Sequence, residues 1–225
     1  MKPKHLIGLL VLSAGVLGFG QGRPPLSVAE TRLALKQMSQ KLMLNKSLKA
    51  RFVQERHLAL FDDVLRVKGF CYYQSPGRIR WEFVEPYASI MIMRENGRGE
   101  KFDVVAGRAV PSKTMDRQVL SEVLNQISKW MRGDLERAME DFQVELYRQG
   151  DFRLVLKPRS ESVSTMLARI EFVIDPQDYL AQSITLWENE NDRTVIRFLE
   201  QSLNEPLADD LFDLNKPKLL SDRER

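Results

Sequence analysis

Cysteine and histidine are almost missing from this chain. Its 225 residues include one cysteine, Cys71, and two histidines, His5 and His57. One cysteine excludes an internal disulfide and a cysteine-based zinc cage. Gly (12) and Pro (10) are no more than ordinary, which excludes collagen-like and low-complexity classes. Neither sign of charge dominates: 34 Lys+Arg face 31 Asp+Glu. The pI near 9.0 comes with no basic block, so nucleic acid is not an expected partner. At 43% hydrophobic residues the chain is too apolar for a disordered one and of a length for one domain.

Catalytic chemistry finds little to use. A serine nucleophile needs a base beside it, and after the first twenty residues only His57 remains. His57 ends the charged run Gln54-Glu55-Arg56-His57, a solvated strand position, and no serine stands in a G-x-S-x-G. Cys71 lies in Gly69-Phe70-Cys71-Tyr72-Tyr73, with no helix start or basic pair to lower its pKa. Asp62-Asp63 and Asp209-Asp210 lack calcium-loop spacing. The reading is a non-enzyme with no catalytic residues, no metal and no cofactor.

The first twenty residues stand apart. Lys2 and Lys4 precede the uncharged run Leu6–Gly20, which ends on Gly18 and Gly20. That run is shorter than the ~20 residues a membrane-spanning helix needs. A basic start, an apolar core and small residues at its end describe a cleavable secretory signal, residues 1–20, with Gly22 as the alternative cleavage site. Its removal leaves 32 basic and 31 acidic residues, near +1. Residues 21–225 are then an exported single domain, with 218–225 read as a mobile tail.

Along that domain the hydrophobic period changes twice. Ser27 and Glu30 form an S-x-x-E capping box, and Leu35, Met38 and Leu42 follow at helical spacing, which predicts a helix over Val28–Leu44. Period two then predicts strands at Arg51–Leu60, Val64–Gln74, Arg78–Glu85, Ser89–Arg94, Arg98–Val105 and Arg108–Pro111. Asp116 opens a helix to Met131 whose apolar stripe is Leu120, Val123, Leu124, Ile127, Trp130 and Met131, with Val119 beside it. Gly133 suits its C-cap, and a short second helix runs from Asp134 to about Asp141. Strands resume at Phe142–Arg148, Phe152–Lys157, Ala168–Ile174, Tyr179–Glu188 and Thr194–Ser202, and Leu207–Leu211 suits one helical turn. The expectation is mainly β: about ten antiparallel strands in one sandwich, barrel or large curved sheet, whose concave face could receive the inserted helix.

Alternation puts Ile79, Trp81 and Phe83 on one face of a strand, and Met91 and Met93 on one face of the next. These five are the candidate lining of an apolar surface. Arg78 and Arg80 are expected on the opposite, outward face. An ordinary filled core is one explanation of the apolar excess. A ligand cavity is the other, since the flexible thioether of methionine suits variable partners.

Several elements occur in a familiar order. They are Phe52 and Gln54 in R-F-V-Q, Gly69 in the next strand, the strand Pro76-Gly77-Arg78-Ile79-Arg80-Trp81, then Pro86 and Asn96-Gly97. With Thr194–Phe198, Pro206 and Phe212 near the end, the ordered set resembles the LolA family of periplasmic lipoprotein carriers over about residues 28–215.

The resemblance implies an incomplete β-barrel: a single large curved antiparallel sheet with a helical lid over an apolar cavity. It implies a monomeric carrier in the periplasm that takes acylated lipoproteins from a LolCDE-like inner-membrane transporter to a LolB-like outer-membrane acceptor. The sequence departs from the family at the residue before the proline, basic in LolA carriers and helping to latch the lid, where Ser75 stands here. It departs again after the hairpin, where Glu100-Lys101-Phe102-Asp103 replaces an aromatic pattern. A LolA-like carrier of another lipid in a dedicated export system is therefore a second expectation, and a non-enzymatic scaffold with a filled core a third.

Overall fold

Ser27 starts the first element as its sequence promises. In the computed structural model, which describes residues 24–112, 129 and 131–220, the Ser27 backbone N–H donates to the Glu30 carboxylate at 2.9 Å, and the Glu30 N–H donates to Ser27 Oγ at 3.3 Å. Helix α1 (Val28–Leu42) follows, two residues shorter than expected. Thr31, Leu35, Met38, Ser39 and Leu42 form its buried stripe.

Eleven strands follow, where the sequence suggests about ten. They are β1 (Ser47–His57), β2 (Leu65–Gln74), β3 (Arg78–Glu85), β4 (Ser89–Met93), β5 (Gly99–Val105), β6 (Arg108–Pro111), β7 (Phe142–Gln149), β8 (Asp151–Pro158), β9 (Arg169–Ile174), β10 (Ala181–Trp187) and β11 (Arg193–Leu203). All eleven make one antiparallel sheet in the order β6-β5-β4-β3-β2-β1-β11-β10-β9-β8-β7. Neighbours in this order are also neighbours in sequence, as in a meander, except β1 and β11, where Phe52 lies opposite Phe198. β10 starts two residues later than expected because Tyr179 has φ +62° and closes the turn that begins at Asp175.

The sheet is open, with β6 and β7 as its edges. It is also curved. Trp81 on β3 and Phe198 on β11 lie three strand spacings apart, about 14 Å in a flat sheet, yet their ring centroids are 6.1 Å apart. Curling toward that face brings the side chains together, and α1 packs its buried stripe into the same cluster.

The opposite face is covered over β2–β5 by the end of the chain. Leu211, Phe212, Leu214 and Leu220 pack there with Tyr72, Ile90, Ile92 and Phe102. A 3-10 turn, Asp209–Phe212, stands where one helical turn is expected. Lys218–Leu220, read from sequence as the start of a mobile tail, lies on the sheet: the Lys218 carbonyl accepts from Arg80 and Leu220 is buried.

This covering also corrects the expectation for Arg80. Arg80 does lie on the face opposite Trp81, but it does not meet solvent; its side chain is fully buried beneath the C-terminal segment, paired with Glu82 at 2.7 Å. Arg78, on the same face, bonds Asp209 at 2.7 Å and lies over the Phe212 ring.

Candidate functional site

The five residues chosen from alternation come together on the concave face. In the β3–β4 register Ile79 faces Met93, Trp81 faces Met91 and Phe83 faces Ser89. Ile79, Trp81 and Met93 are buried; Phe83 and Met91 are half-buried at the margin of the same cluster. Trp81 is therefore on the inner side of the sheet.

Sequence reasoning passed over the residue around which this surface is organised. The Phe52 ring lies 4.6 Å from Trp81 and edge-on to Phe83 at 5.6 Å. It can do so because its partner on β2 is Gly69. A Cβ at Gly69 would fall 2.1 Å from the Glu82 carbonyl oxygen and 2.6 Å from Phe52 Cζ. The glycine thus leaves the place its side chain would fill to an aromatic ring from the next strand. The pairing of F-x-Q with a glycine in the following strand was visible in the sequence as a resemblance, without its reason.

The expected lid residues Leu120, Val123, Leu124, Ile127 and Trp130 lie outside the described residues. Met131 lies within them, half-buried against the concave cluster. The topology adds a constraint. The connection from β6 to β7 runs from one edge of the sheet to the other, and its described part lies on the α1 side. Leu135 and Ala138 are buried in the concave cluster. Gly133, at φ +78°, approaches α1 so closely that a Cβ there would meet the Ser39 carbonyl at 2.7 Å. A short helix, Ala138–Asp141, then leads into β7, starting four residues later than expected.

Ser75 is the position where the family resemblance expects a basic latch. A basic residue does reach this turn, but from the crossing connection: Arg132 Nη1 donates to the Pro76 carbonyl at 3.2 Å. Burial pushes the nearby Tyr73 hydroxyl above its ordinary pKa, opposed by a bond with Ser75 and by the Arg132 charge. Sequence reading missed Arg132 because nothing local marks a contact 56 residues away.

Away from the C-terminal segment, the outer side of the sheet carries paired charges. Glu55 is held below the usual carboxylate range by bonds from Arg197 and Arg66. Burial pushes Glu171 up, but bonds from Arg169 and Arg153 outweigh it and leave it lowered. Glu145 is lowered by Lys157 and then by Tyr147.

Clefts among the described residues lie away from Trp81. One of about 400 Å³ is lined mostly by polar residues, among them Lys129, Asp134, Arg137 and Glu140. Another, about 460 Å³, is bounded by Leu58–Phe61 and Asp192. Neither is the apolar cavity expected beside Trp81. Among the described residues no group of three His, Cys, Asp or Glu could hold a metal ion.

Cys71 packs in the concave cluster, and burial pushes its thiol far above the ordinary value. The thiolate is the reactive form, so the folded protein is expected to resist alkylation by iodoacetamide at pH 8 and to react fully in denaturant. Rapid labelling of the folded protein, read by mass spectrometry, would refute the burial.

The family model of the outer membrane lipoprotein carrier protein LolA matches residues 44–215. No curated protein matches the sequence. Among solved structures, the chain is similar to the LolA superfamily protein NE2245 from Nitrosomonas europaea, with 10% identity and a TM-score of 0.41 over 82% of this chain and 98% of that one. It is similar to an uncharacterized conserved protein from Thermus thermophilus, with 12% identity and a TM-score of 0.49 over 81% and 92%. It is also similar to LprF from Mycobacterium bovis, with 12% identity and a TM-score of 0.47 over 83% and 97%.

Proposed function

Because this chain belongs to the LolA family, we propose that it takes lipoprotein acyl chains onto its concave apolar face at the inner membrane and releases them at the outer. LolA-family proteins are periplasmic, non-catalytic carriers of lipoproteins. In the proposal, export uses the cleaved segment 1–20, the donor is a LolCDE-like transporter and the acceptor a LolB-like lipoprotein. The observation that carries the reading is the curled face itself: aromatic and methionine side chains from β1, β3, β4 and β11 share one apolar surface, and Met131, Leu135 and Ala138, from the described part of the connection between the sheet edges, pack onto it.

Release has to be as easy as capture. Fifteen or so buried methylenes would hold each chain by roughly 12 kcal/mol at about 0.8 kcal/mol each, which would trap the cargo. In the proposed mechanism residues 116–141 cover the apolar face when it is empty and give way when a chain enters. Cargo then replaces protein contacts rather than water, and the net affinity falls. The half-buried Phe83 and Met91 are the cargo-touching positions, while the buried Ile79, Trp81 and Met93 form the floor beneath them.

A second reading, a different lipid as cargo, is favoured by Ser75, where the family's basic latch is missing. One experiment addresses both. The exported protein, purified gently from the periplasm, is expected to carry acylated lipoprotein in native mass spectrometry. The double change Phe83→Asp, Met91→Asp is expected to cut the loaded fraction at least about tenfold, since a charge repels apolar chains. A free lipid in place of lipoprotein supports the second reading. Wild-type protein that carries no acyl chain refutes both.

A further inference from the structure

In an antiparallel sheet successive loops alternate between its two ends. The loops β1–β2, β3–β4, β5–β6, β8–β9 and β10–β11 therefore share one end, and β2–β3, β4–β5, β7–β8 and β9–β10 share the other. The two ends differ in chemistry. On the first, large apolar side chains project into solvent: Leu60 is 86% exposed, Tyr87 84%, Met166 71% and Phe61 59%. On the second, no hairpin loop among the described residues exposes a large hydrophobic side chain, although Met43 and Leu44 are exposed at the exit of α1.

The exposed tips are not loose ends of a core. The β1–β2 loop is braced, with the Ala59 N–H donating to the Asp192 carboxylate at 2.7 Å and the Phe61 N–H to the Leu58 carbonyl at 3.0 Å. That bracing holds Leu60 and Phe61 outward. The loops that carry Tyr87 and Leu60 are two strands apart, about 10 Å, and Met166 stands further round the curl, beyond the polar β10–β11 loop. The apolar groups are thus strung along one narrow rim, with Val64 and Leu65 exposed between Phe61 and the loop that carries Tyr87, and Val105 exposed at the next turn. A protein partner buries a contiguous patch with an apolar centre. A narrow apolar line along one end of a curved sheet has no such centre and fits a flat, deformable apolar layer, which each loop tip can enter.

Charge narrows the choice of layer. Immediately behind the tips the ionic groups pair with one another: Arg66 with Glu55 at 2.6 Å, Lys68 with Glu85 at 2.8 Å and Arg56 with Glu188 at 3.0 Å. Asp62 and Asp63 lie in the same loop as Leu60. A band carrying both signs complements a zwitterionic headgroup layer, and the two aspartates oppose a strongly anionic one. Tyr87 adds the amphipathic ring that settles at the level of lipid headgroups.

We propose that this end of the sheet is a membrane-docking rim, on which Leu60, Phe61, Tyr87 and Met166 enter the interface of a zwitterionic phospholipid bilayer. The binding is shallow and reversible, made by a few side chains. The proposal stands on loop position and exposure, not on what cargo the concave face takes.

The test is co-flotation of the exported protein with vesicles of phosphatidylcholine and phosphatidylethanolamine. Wild type is expected to float. Leu60→Ser with Phe61→Ser is expected to lower the bound fraction about tenfold or more, as is Tyr87→Ser with Met166→Ser, since each pair removes two large apolar groups from the interface. Met43→Ser with Leu44→Ser, at the other end, is expected to float as wild type does. All the changed side chains are exposed, so the variants are expected to melt with the wild type, and acyl chains retained by the rim variants read the carrier function separately. Three results would overturn the rim: wild type that stays with the soluble fraction, rim variants that float unchanged, or flotation that appears only when phosphatidylglycerol is added.

Discussion

Gly69→Ala is expected to destabilise the protein by about 3 kcal/mol or more, the upper part of the range for overpacking a filled site. For a chain of this size that lowers the melting temperature by roughly 10 °C. The new methyl group would stand 2.1 Å from the Glu82 carbonyl oxygen. That oxygen belongs to the adjacent strand β3 and cannot retreat without disturbing the β2–β3 pairing, whose register already shifts between Lys68 and Gly69. The second obstacle is a side chain: Phe52 Cζ at 2.6 Å and Cε1 at 2.9 Å. The two obstacles can be separated. Phe52→Leu removes the ring but leaves the carbonyl, so it is not expected to rescue Gly69→Ala. Thermal melting followed by circular dichroism checks both variants. A Gly69→Ala protein that melts within about 2 °C of wild type would show that β2 and β3 do not approach so closely. The consequence reaches the candidate site, because the ring that Gly69 admits is the one that packs against both Trp81 and Phe83. Cargo binding is expected to fall with stability at this position, unlike at Phe83.

The features that local chemistry controls are the ones the sequence disclosed. The capping box set the start of α1, and strict alternation placed β3 with both ends correct. Alternation also paired the right faces of β3 and β4, because a short turn at Pro86–Ala88 leaves little freedom of register. Features that depend on distant pairing stayed hidden. Nothing in Arg51–Leu60 says that Arg193–Leu203 lies beside it, so the sheet's central β1–β11 seam could not be read, and with it the curl that brings Phe198 to Trp81. Arg80 shows the same limit from another side. Period two states which face a residue occupies, not what covers that face. The covering segment did leave a trace: Leu207, Leu211, Phe212, Leu214, Leu219 and Leu220 are too many apolar residues for a solvated tail. Their irregular spacing fits neither a longer helix nor a strand, which is why pattern reading found no more there than one helical turn.

That covering segment is held to the sheet by Arg80. Arg80→Met is expected to cost about 3–5 kcal/mol, the range for removing one partner of a buried ion pair. The Arg80 guanidinium donates twice to the Glu82 carboxylate, at 3.0 and 2.7 Å. It donates also to two carbonyls of the C-terminal segment, Leu211 at 3.2 Å and Lys218 at 2.6 Å. One side chain thus neutralises a buried carboxylate and ties down the strap that buries it. Without it the carboxylate loses its cation in an apolar setting, and two strap carbonyls lose a donor. The strap is the part with the least other structure, since beyond the 3-10 turn it has no regular element of its own. It is expected to leave first, exposing Ile90, Ile92 and Phe102. Limited proteolysis separates this from uniform weakening: Arg80→Met is expected to be cut between residues 207 and 220 under conditions where the sheet stays intact. Glu82→Gln keeps the guanidinium and both of its carbonyl bonds, so it is expected to be less open to cutting there at equal loss of stability. Replacing both members with Met and Leu removes the buried charges together and is expected to recover most of the loss, because well-packed apolar groups of similar size often match a buried pair. Arg80→Met that resists cutting at the strap as wild type does would mean that the apolar contacts of Leu211, Phe212, Leu214 and Leu220 hold the segment without the arginine.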